Sequence, residues 1–338
     1  METSNSAVCI YCLQEKPVGS FDREHVLPRA LLPEGFGQSL TLIRMVCRDC
    51  NHYLGAKLVS YLSHDSFEAV LRLKYGVRGP GKASDLKYDR IEFRLAGPAP
   101  WGGVRMHLRD EQGRLMRDVL PQVGFRREGE TCWTYVLVSE LREPKHPVPA
   151  PLARERSIQV VATPEVTADE IDEILELLAT HGVTFHPEGE SPVYPYRLGD
   201  QEDLDLTCDF DVILQRGVAY IAFNYLAYVA CSEFARRPDF NAVREFIRYG
   251  TKPDYQIVDV TDTPVLFGDT PTLRQTNGHL VTVGWSDDVG ALSSSVSLFN
   301  HLTYRITLCR RFPGIWRPVR SGHHFDIDNK QVCRMGYL

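Results

Sequence analysis

Four cysteines near the start of the chain have the spacing of a metal site. They form two Cys-x-x-Cys pairs, Cys9 with Cys12 and Cys47 with Cys50. Such a turn presents two thiolates to one ion, and structural zinc takes four nitrogen or sulfur ligands in a closed tetrahedron. Two disulfides, or four unrelated buried thiols, are the alternatives. The paired spacing favours one structural zinc ion held by all four sulfurs.

An acidic residue joined to a histidine, Glu24-His25, lies between the two cysteine pairs. The unperturbed pKa of histidine is about 6.5, so its imidazole can take a proton from water at neutral pH. A neighbouring carboxylate can hold a divalent cation through oxygen. A Glu-His dipeptide by itself is typical of a solvated strand end, but its position between two zinc-binding turns indicates a catalytic pair.

A hairpin and a helix are needed to position these residues. We expect residues 38–46 to form a strand that runs antiparallel to one ending near His25, and a helix to begin at Asn51. The amide oxygen of Asn51 would then face the Glu-His pair across the hairpin. Three leucines at helical spacing indicate the helix: Leu54, Leu58 and Leu62.

The order of these motifs resembles the HNH endonucleases of the ββα-metal superfamily, in the branch whose hairpin is pinned by a four-cysteine zinc. The resemblance rests on the first Cys-x-x-Cys, on the run Glu-His-Val-Leu-Pro-Arg-Ala-Leu that begins at Glu24, and on the final Cys-x-x-Cys-Asn that ends at Asn51. It covers about the first fifth of the chain.

The resemblance implies a role for each residue of the site. His25 matches the general base that activates the attacking water, Glu24 the acidic residue that helps to bind a catalytic Mg²⁺ or Mn²⁺ ion, and Asn51 the final ligand of that ion. Thr41 stands near the position of the middle asparagine of the motif, which braces the loop that carries the base. A threonine hydroxyl can make one such hydrogen bond, but not the two-sided clamp of an amide.

The reaction that the resemblance implies is metal-dependent hydrolysis of DNA phosphodiester bonds, in a bacterial restriction or anti-phage setting. Two other functions stay open. A zinc-ribbon module with the same four cysteines would bind nucleic acid or protein without cutting it. An effector that cleaves RNA would use the same site around His25.

The net charge of −6 argues against a protein that coats nucleic acid through its overall charge. Contacts with DNA are therefore expected to be local. Arginine side chains can bind phosphates, and aromatic rings interleaved with them can stack on bases. The candidates are one arginine beside the Glu-His motif and three in an arginine-aromatic segment near the C-terminus: Arg29, Arg310, Arg311 and Arg317.

The composition is that of a soluble globular protein of two or three domains, with 338 residues of which 43% are hydrophobic and 24% charged. No apolar run reaches the length of a membrane span, and the first residues lack the features of a secretory signal. We therefore predict a cytoplasmic location and no membrane partner. Of the nine cysteines, the five outside the two pairs are expected to be reduced thiols.

The predicted fold class is α+β, with an N-terminal HNH domain over residues 1–76 and a larger mixed α+β recognition or regulatory domain over residues 77–338. Glycine and proline between residues 78 and 82 break the periodicity at this boundary. A sub-boundary is predicted near residues 144–156.

The larger domain is expected to contain a β-α-β unit over residues 158–185 and a buried helix over residues 217–234. Asn224 lies within this apolar helix and must find a hydrogen-bond partner there. A second helix is predicted over residues 241–249, with Gly250 as its C-terminal cap.

Overall fold

The computed structural model contains both strands and helices, a mixed α+β fold as predicted. The residues that it describes are 5–37, 39–77, 92–95, 102–111, 114–125, 133–142, 158–162, 168–180, 193–195, 210–261, 277–286, 290–312 and 320–335. The predicted sub-boundary near residues 144–156 lies outside them.

The chain forms two compact units. Unit 1 combines Met1–Leu86 with Phe210–Leu338, and unit 2 is Lys87–Asp209. This division differs from the predicted domains at residues 1–76 and 77–338. The difference arises because the N-terminal and C-terminal segments of unit 1 share one hydrophobic core.

Two short antiparallel ladders hold the Cys-x-x-Cys turns. β1 (Ser6–Val8) and β2 (Glu15–Pro17) flank the first turn. β3 (Phe21–His25) and β4 (Thr41–Cys47) form the predicted hairpin, in which the last residue of β3 lies opposite the first residue of β4. The strand expected from residue 38 therefore begins three residues later.

The hairpin leads directly into a helix. α1 (Arg48–Leu54) continues through a π-helical turn (Gly55–Val59) into α2 (Ser60–His64). The helix begins at Arg48 rather than at the predicted Asn51. The three leucines predicted on its apolar face are wholly buried: Leu54, Leu58 and Leu62. α3 (Phe67–Lys74) follows and completes the N-terminal segment of unit 1.

Unit 2 contains two sheets in its described part. β5 (Glu92–Arg94), β6 (Arg105–Glu111) and β7 (Arg114–Val119) form the first. The second has the order β11-β10-β8-β9 and comprises β8 (Gln122–Phe125), β9 (Thr134–Leu137), β10 (Ile158–Ala162) and β11 (Val193–Pro195). The helices in the described part of the unit are α4 (Val138–Leu141) and α5 (Ala168–Thr180). β10 and α5 match the first strand and the helix of the predicted β-α-β unit, and β11, which lies beyond the predicted range, pairs parallel with β10. The strand predicted at the end of residues 158–185 lies outside the described residues.

The C-terminal segment of unit 1 begins with helices and ends with an antiparallel sheet. The helices are α6 (Val212–Ala230), α7 (Ser232–Ala235) and α8 (Asn241–Tyr249), the last capped as predicted by Gly250 at φ +77°. The sheet has the order β12-β15-β14-β13-β16-β17. Its strands are β12 (Val258–Thr261), β13 (Gly278–Ser286), β14 (Ala291–Leu298), β15 (Leu302–Cys309), β16 (Arg320–Asp326) and β17 (Gln331–Met335).

α6 is the central element of unit 1. The carboxylate of Asp211 caps its first turn by accepting a hydrogen bond from the amide of Leu214 at 2.7 Å. The helix is long and apolar enough to cross a membrane, but 67% of that window is buried inside the protein, as in a core helix. Gly217 lets Leu62 approach closely, since a Cβ atom there would lie 2.9 Å from the Leu62 side chain. The predicted buried helix at 217–234 is thus confirmed, with its limits shifted towards the N-terminus.

Side chains from the N-terminal segment complete the core against the C-terminal sheet. The ring of Tyr75 stacks on Phe299, with 5.6 Å between centroids. His279 donates a hydrogen bond from Nε2 to the carbonyl of Leu31 at 2.9 Å. The hydroxyl of Tyr304 donates to the buried carboxylate of Glu68. These contacts join the connection between β3 and β4, and the segment around α3, to the sheet.

Candidate zinc site and active site

The four cysteines of the two predicted pairs come together in one cluster. Their sulfur atoms all lie within 4.8 Å of one another, and Cys12 Sγ is 3.8 Å from Cys47 Sγ. A tetrahedron with Zn–S bonds of about 2.3 Å has its sulfurs about 3.8 Å apart. The donor set and its spacing therefore fit a structural zinc ion, and within the described residues this is the one cluster of its kind. The disulfide alternative is wrong for these residues, since their thiols are free.

One sulfur of the cluster, Cys9 Sγ, accepts hydrogen bonds that favour its thiolate form. The amides of Tyr11 and Cys47 each donate to Cys9 Sγ at 3.4 Å. The pKa of Cys9 falls to about 4, chiefly through its hydrogen bond with Cys50 and further through backbone amides, against an opposing effect of burial. Burial and the neighbouring sulfurs raise the pKa of Cys12. Four thiolates this close together would need a cation to balance their charge, and a zinc ion would supply it.

Glu24 and His25 end β3, where the structure places their side chains in different surroundings. Glu24 is buried, and its Oε1 accepts a hydrogen bond from the amide of His25 at 2.9 Å. Burial raises the pKa of Glu24, an effect that the nearby Tyr220 hydroxyl partly offsets. His25 is half-buried, and desolvation followed by the charges of Arg29 and Arg23 lowers the pKa of its imidazole. The neutral form of His25, which can accept a proton, therefore prevails at neutral pH.

Asn51 lies in the first turns of α1, directly after the last cysteine of the cluster. α1 packs against both β3 and β4, the hairpin strands that carry the Glu-His pair and Thr41. The Asn51 side chain is half-buried. Its amide oxygen is a donor of the kind that Mg²⁺ and Mn²⁺ bind. Thr41 lies opposite His25 in the hairpin register, the position expected for the motif's middle residue.

Two residues of α6, which the sequence did not assign to the site, also contact the hairpin. Asn224 donates a hydrogen bond from Nδ2 to the backbone carbonyl of His25 at 3.3 Å, and its Oδ1 accepts one from the hydroxyl of Tyr11 at 2.7 Å. The hydroxyl of Tyr220 lies near Glu24 without a hydrogen bond of good geometry. The one sequence signal for these residues was the polar side chain of Asn224 inside an apolar helix.

The four candidate arginines are not all in one place. Arg29 is exposed and close enough to His25 for its charge to affect the imidazole. Arg310 and Arg311 are exposed at the end of β15 rather than in the hairpin, and Arg310 lies over the ring of Tyr255 at 5.7 Å. Arg317 lies outside the described residues. Among these, Arg29 is the residue that the structure brings to the candidate active site.

Comparison with other proteins identifies one family. No match is found among curated proteins or among solved structures. Residues 9–67 match the model of a family described as HNH endonuclease, a range that includes the four cysteines, Glu24, His25 and Asn51. The expected resemblance is thereby confirmed. Residues 9–67 are therefore similar to HNH endonucleases and carry a four-cysteine cluster that fits zinc, which suggests a nuclease or nucleic-acid-related role.

Proposed function

We propose that the protein is a metal-dependent endonuclease that hydrolyses DNA phosphodiester bonds, with His25 as the general base. One observation carries the proposal. His25 is a half-buried imidazole at the end of β3, a strand that contacts α1, the helix that bears Asn51. The family match over residues 9–67 supports it.

In the proposed reaction, His25 takes a proton from a water molecule while the water oxygen attacks phosphorus. A new P–O bond forms as the bond between phosphorus and the 3′ oxygen breaks, and the departing oxygen takes a proton from solvent. Negative charge grows on the phosphate and departing oxygens and must be stabilised. The guanidinium of Arg29, beside His25, is suited to bind a phosphate next to the base.

Glu24 and Asn51 are the residues proposed to hold a catalytic Mg²⁺ or Mn²⁺ ion. Carboxylate and amide oxygens are the hard donors that these ions prefer. When bound, the cation would neutralise charge on the phosphate oxygens. Because burial raises the pKa of Glu24, its carboxylate gains more from a nearby cation than an exposed one would.

The remaining expectations belong to the same proposal. DNA is the proposed substrate, and bacterial restriction or anti-phage defence, in the cytoplasm and away from membranes, is the proposed setting. These parts rest on the family resemblance and on composition. An RNA-cleaving effector and a zinc-ribbon module that binds without cutting are the competing outcomes of the test.

The test compares cleavage of supercoiled plasmid with Mg²⁺, Mn²⁺ or chelator by the wild type, His25→Ala and His52→Ala. Removal of a general base typically lowers the rate about a hundredfold to ten-thousandfold. His52 is an exposed histidine on α1 and serves as the matched control, with a rate equal to that of the wild type. Zinc content and circular dichroism verify that each variant is folded.

Each alternative has its own result. Cleavage that His25→Ala leaves unchanged would assign the activity to another site or to a contaminant. Binding of DNA without cleavage in any metal would support the zinc-ribbon module. Cleavage of labelled RNA, with plasmid left intact, would support the RNA-directed effector.

A further inference from the structure

An asparagine inside the central helix of unit 1 is bonded to the candidate base. Asn224 is wholly buried in α6. Its Nδ2 donates to the backbone carbonyl of His25 at 3.3 Å, and its Oδ1 accepts from the hydroxyl of Tyr11 at 2.7 Å. A buried amide without partners is costly, so both hydrogen bonds fix the orientation of this side chain.

Tyr11 is itself held by the zinc cluster. It lies within the first Cys-x-x-Cys turn, and its amide donates to Cys9 Sγ at 3.4 Å. Its ring is wholly buried and stacks on Tyr220 of α6, with 5.8 Å between centroids. The hydroxyl of Tyr11 therefore has a defined position relative to the sulfurs and presents its proton to Asn224.

The bond from Asn224 reaches His25 at the end of the hairpin ladder. His25 is the last residue of β3, and the next amide, that of Val26, donates to the carbonyl of Leu40 at 2.9 Å. The His25 carbonyl belongs to the same peptide group as this amide, so Asn224 and Leu40 hold its plane from two sides and fix the backbone that carries the imidazole. Opposite it stands Thr41, whose single hydroxyl cannot clamp the loop from two sides.

We infer that Asn224 is a positioning residue for His25, and that the zinc cluster orients the base through Tyr11 and Asn224. The inference rests on the proposed nuclease function. It makes α6 a part of the active-site scaffold, although the helix lies far from the hairpin in sequence. A displacement of about 1 Å at a reacting group can lower a rate about a hundredfold. Loss of the hydrogen bond from Asn224 to His25 should therefore be measurable as a lower cleavage rate.

The test is single-turnover cleavage of plasmid by the full chain, with protein in excess. Asn224→Ala should lower the rate constant about a hundredfold while the affinity for DNA stays that of the wild type. The matched control is Tyr225→Phe, which removes another buried hydrogen bond of α6, to His323 Nδ1 at 2.8 Å, and should retain the wild-type rate. If Asn224→Ala does not fold, Asn224→Asp, which has nearly the same volume but lacks the Nδ2 donor, takes its place. Zinc content and near-UV circular dichroism verify folding.

A second substitution separates positioning from general stability. Thr41 lies across the hairpin from His25, so Thr41→Asn puts a new amide next to the same loop. In the Asn224→Ala background it should raise the cleavage rate constant about tenfold, which corresponds to the free energy of one hydrogen bond. It should not restore the melting temperature.

The possible failures can be told apart. A wild type that does not cleave refutes the proposed function, and this inference with it. A wild type that cleaves, with Asn224→Ala cleaving equally fast, refutes the inference alone. So does a slow Asn224→Ala variant that Thr41→Asn fails to rescue, or one in which DNA affinity falls as much as the rate.

Discussion

Acidification should destabilise unit 1 through one buried histidine, His279. Both ring nitrogens of this wholly buried residue have backbone partners: Nε2 donates to the carbonyl of Leu31 at 2.9 Å, and Nδ1 accepts from the amide of Phe299 at 3.2 Å. A protonated ring would set a second N–H against that amide. Burial lowers the pKa of His279 to about 3, the nearby His324 adds to the effect, and the Leu31 carbonyl opposes it.

The sign and size of the effect follow from linkage. The pKa of this histidine is about 6.5 in the unfolded chain and about 3 in the folded protein. Between these values the unfolded chain binds a proton that the folded protein excludes. The contribution to stability is therefore complete above pH 6.5 and is lost as the pH falls towards 3. From pH 7 to pH 5, unit 1 should lose about 2 kcal/mol of unfolding free energy through His279 alone.

Urea unfolding of the wild type and of His279→Gln at pH 7 and pH 5 measures this term. The variant should be less stable than the wild type at pH 7. Because glutamine does not titrate, the difference in unfolding free energy between the two proteins should narrow by about 2 kcal/mol at pH 5. Other titrating groups, including the cysteine cluster, are the same in both proteins. At constant zinc concentration their contributions cancel in the difference in unfolding free energy. His52→Gln, at an exposed site, should show no change in this difference. A difference for His279→Gln that is the same at both pH values would refute the reasoning.

Other perturbations test the zinc cluster, the shared core and a buried acid. Cys50→Ser should lower bound zinc, measured by metal analysis, and the urea midpoint with it, because zinc binding and folding of the hairpin share one free energy. A fragment limited to Met1–Leu86 should give no cooperative unfolding transition by near-UV circular dichroism, since its apolar face is completed by α6. Glu68→Gln should raise the stability of unit 1 at pH 7, measured by urea unfolding, because burial raises the pKa of Glu68 and its ionised form is costly. That gain should vanish as the pH falls, when the wild-type acid becomes protonated.

The hairpin, the helix and the zinc cluster could be predicted because their contacts are local. Two Cys-x-x-Cys turns, an alternating strand and leucines at helical spacing all lie within residues 9–67. The errors there were small: β4 begins at Thr41, and the helix begins at Arg48 rather than at Asn51. Both arise because hydrogen bonds, rather than hydrophobic periodicity, decide where an element ends.

The division into units could not be predicted because it depends on distant pairs. Glycine and proline near residue 79 break local periodicity, but they carry no information about which segments later pack together. Tyr11 and Asn224, for example, are 213 positions apart. The composition of α6 indicated that Asn224 needed a partner, but the partner could be identified only from the fold.

The same distant pairs explain why the HNH segment is not a separate unit here. An asparagine at position 41 of β4 would hold the loop that carries His25 within the hairpin itself. The geometry around His25 would then not depend on α6. With Thr41 at that position, an additional hydrogen bond to the His25 carbonyl comes from Asn224. The packing of α6 against the C-terminal sheet fixes the position of Asn224. The orientation of His25 therefore depends on the whole core of unit 1. Mutations that loosen that core should lower the cleavage rate at temperatures well below the melting point, and a hairpin braced by Thr41→Asn should lose this sensitivity.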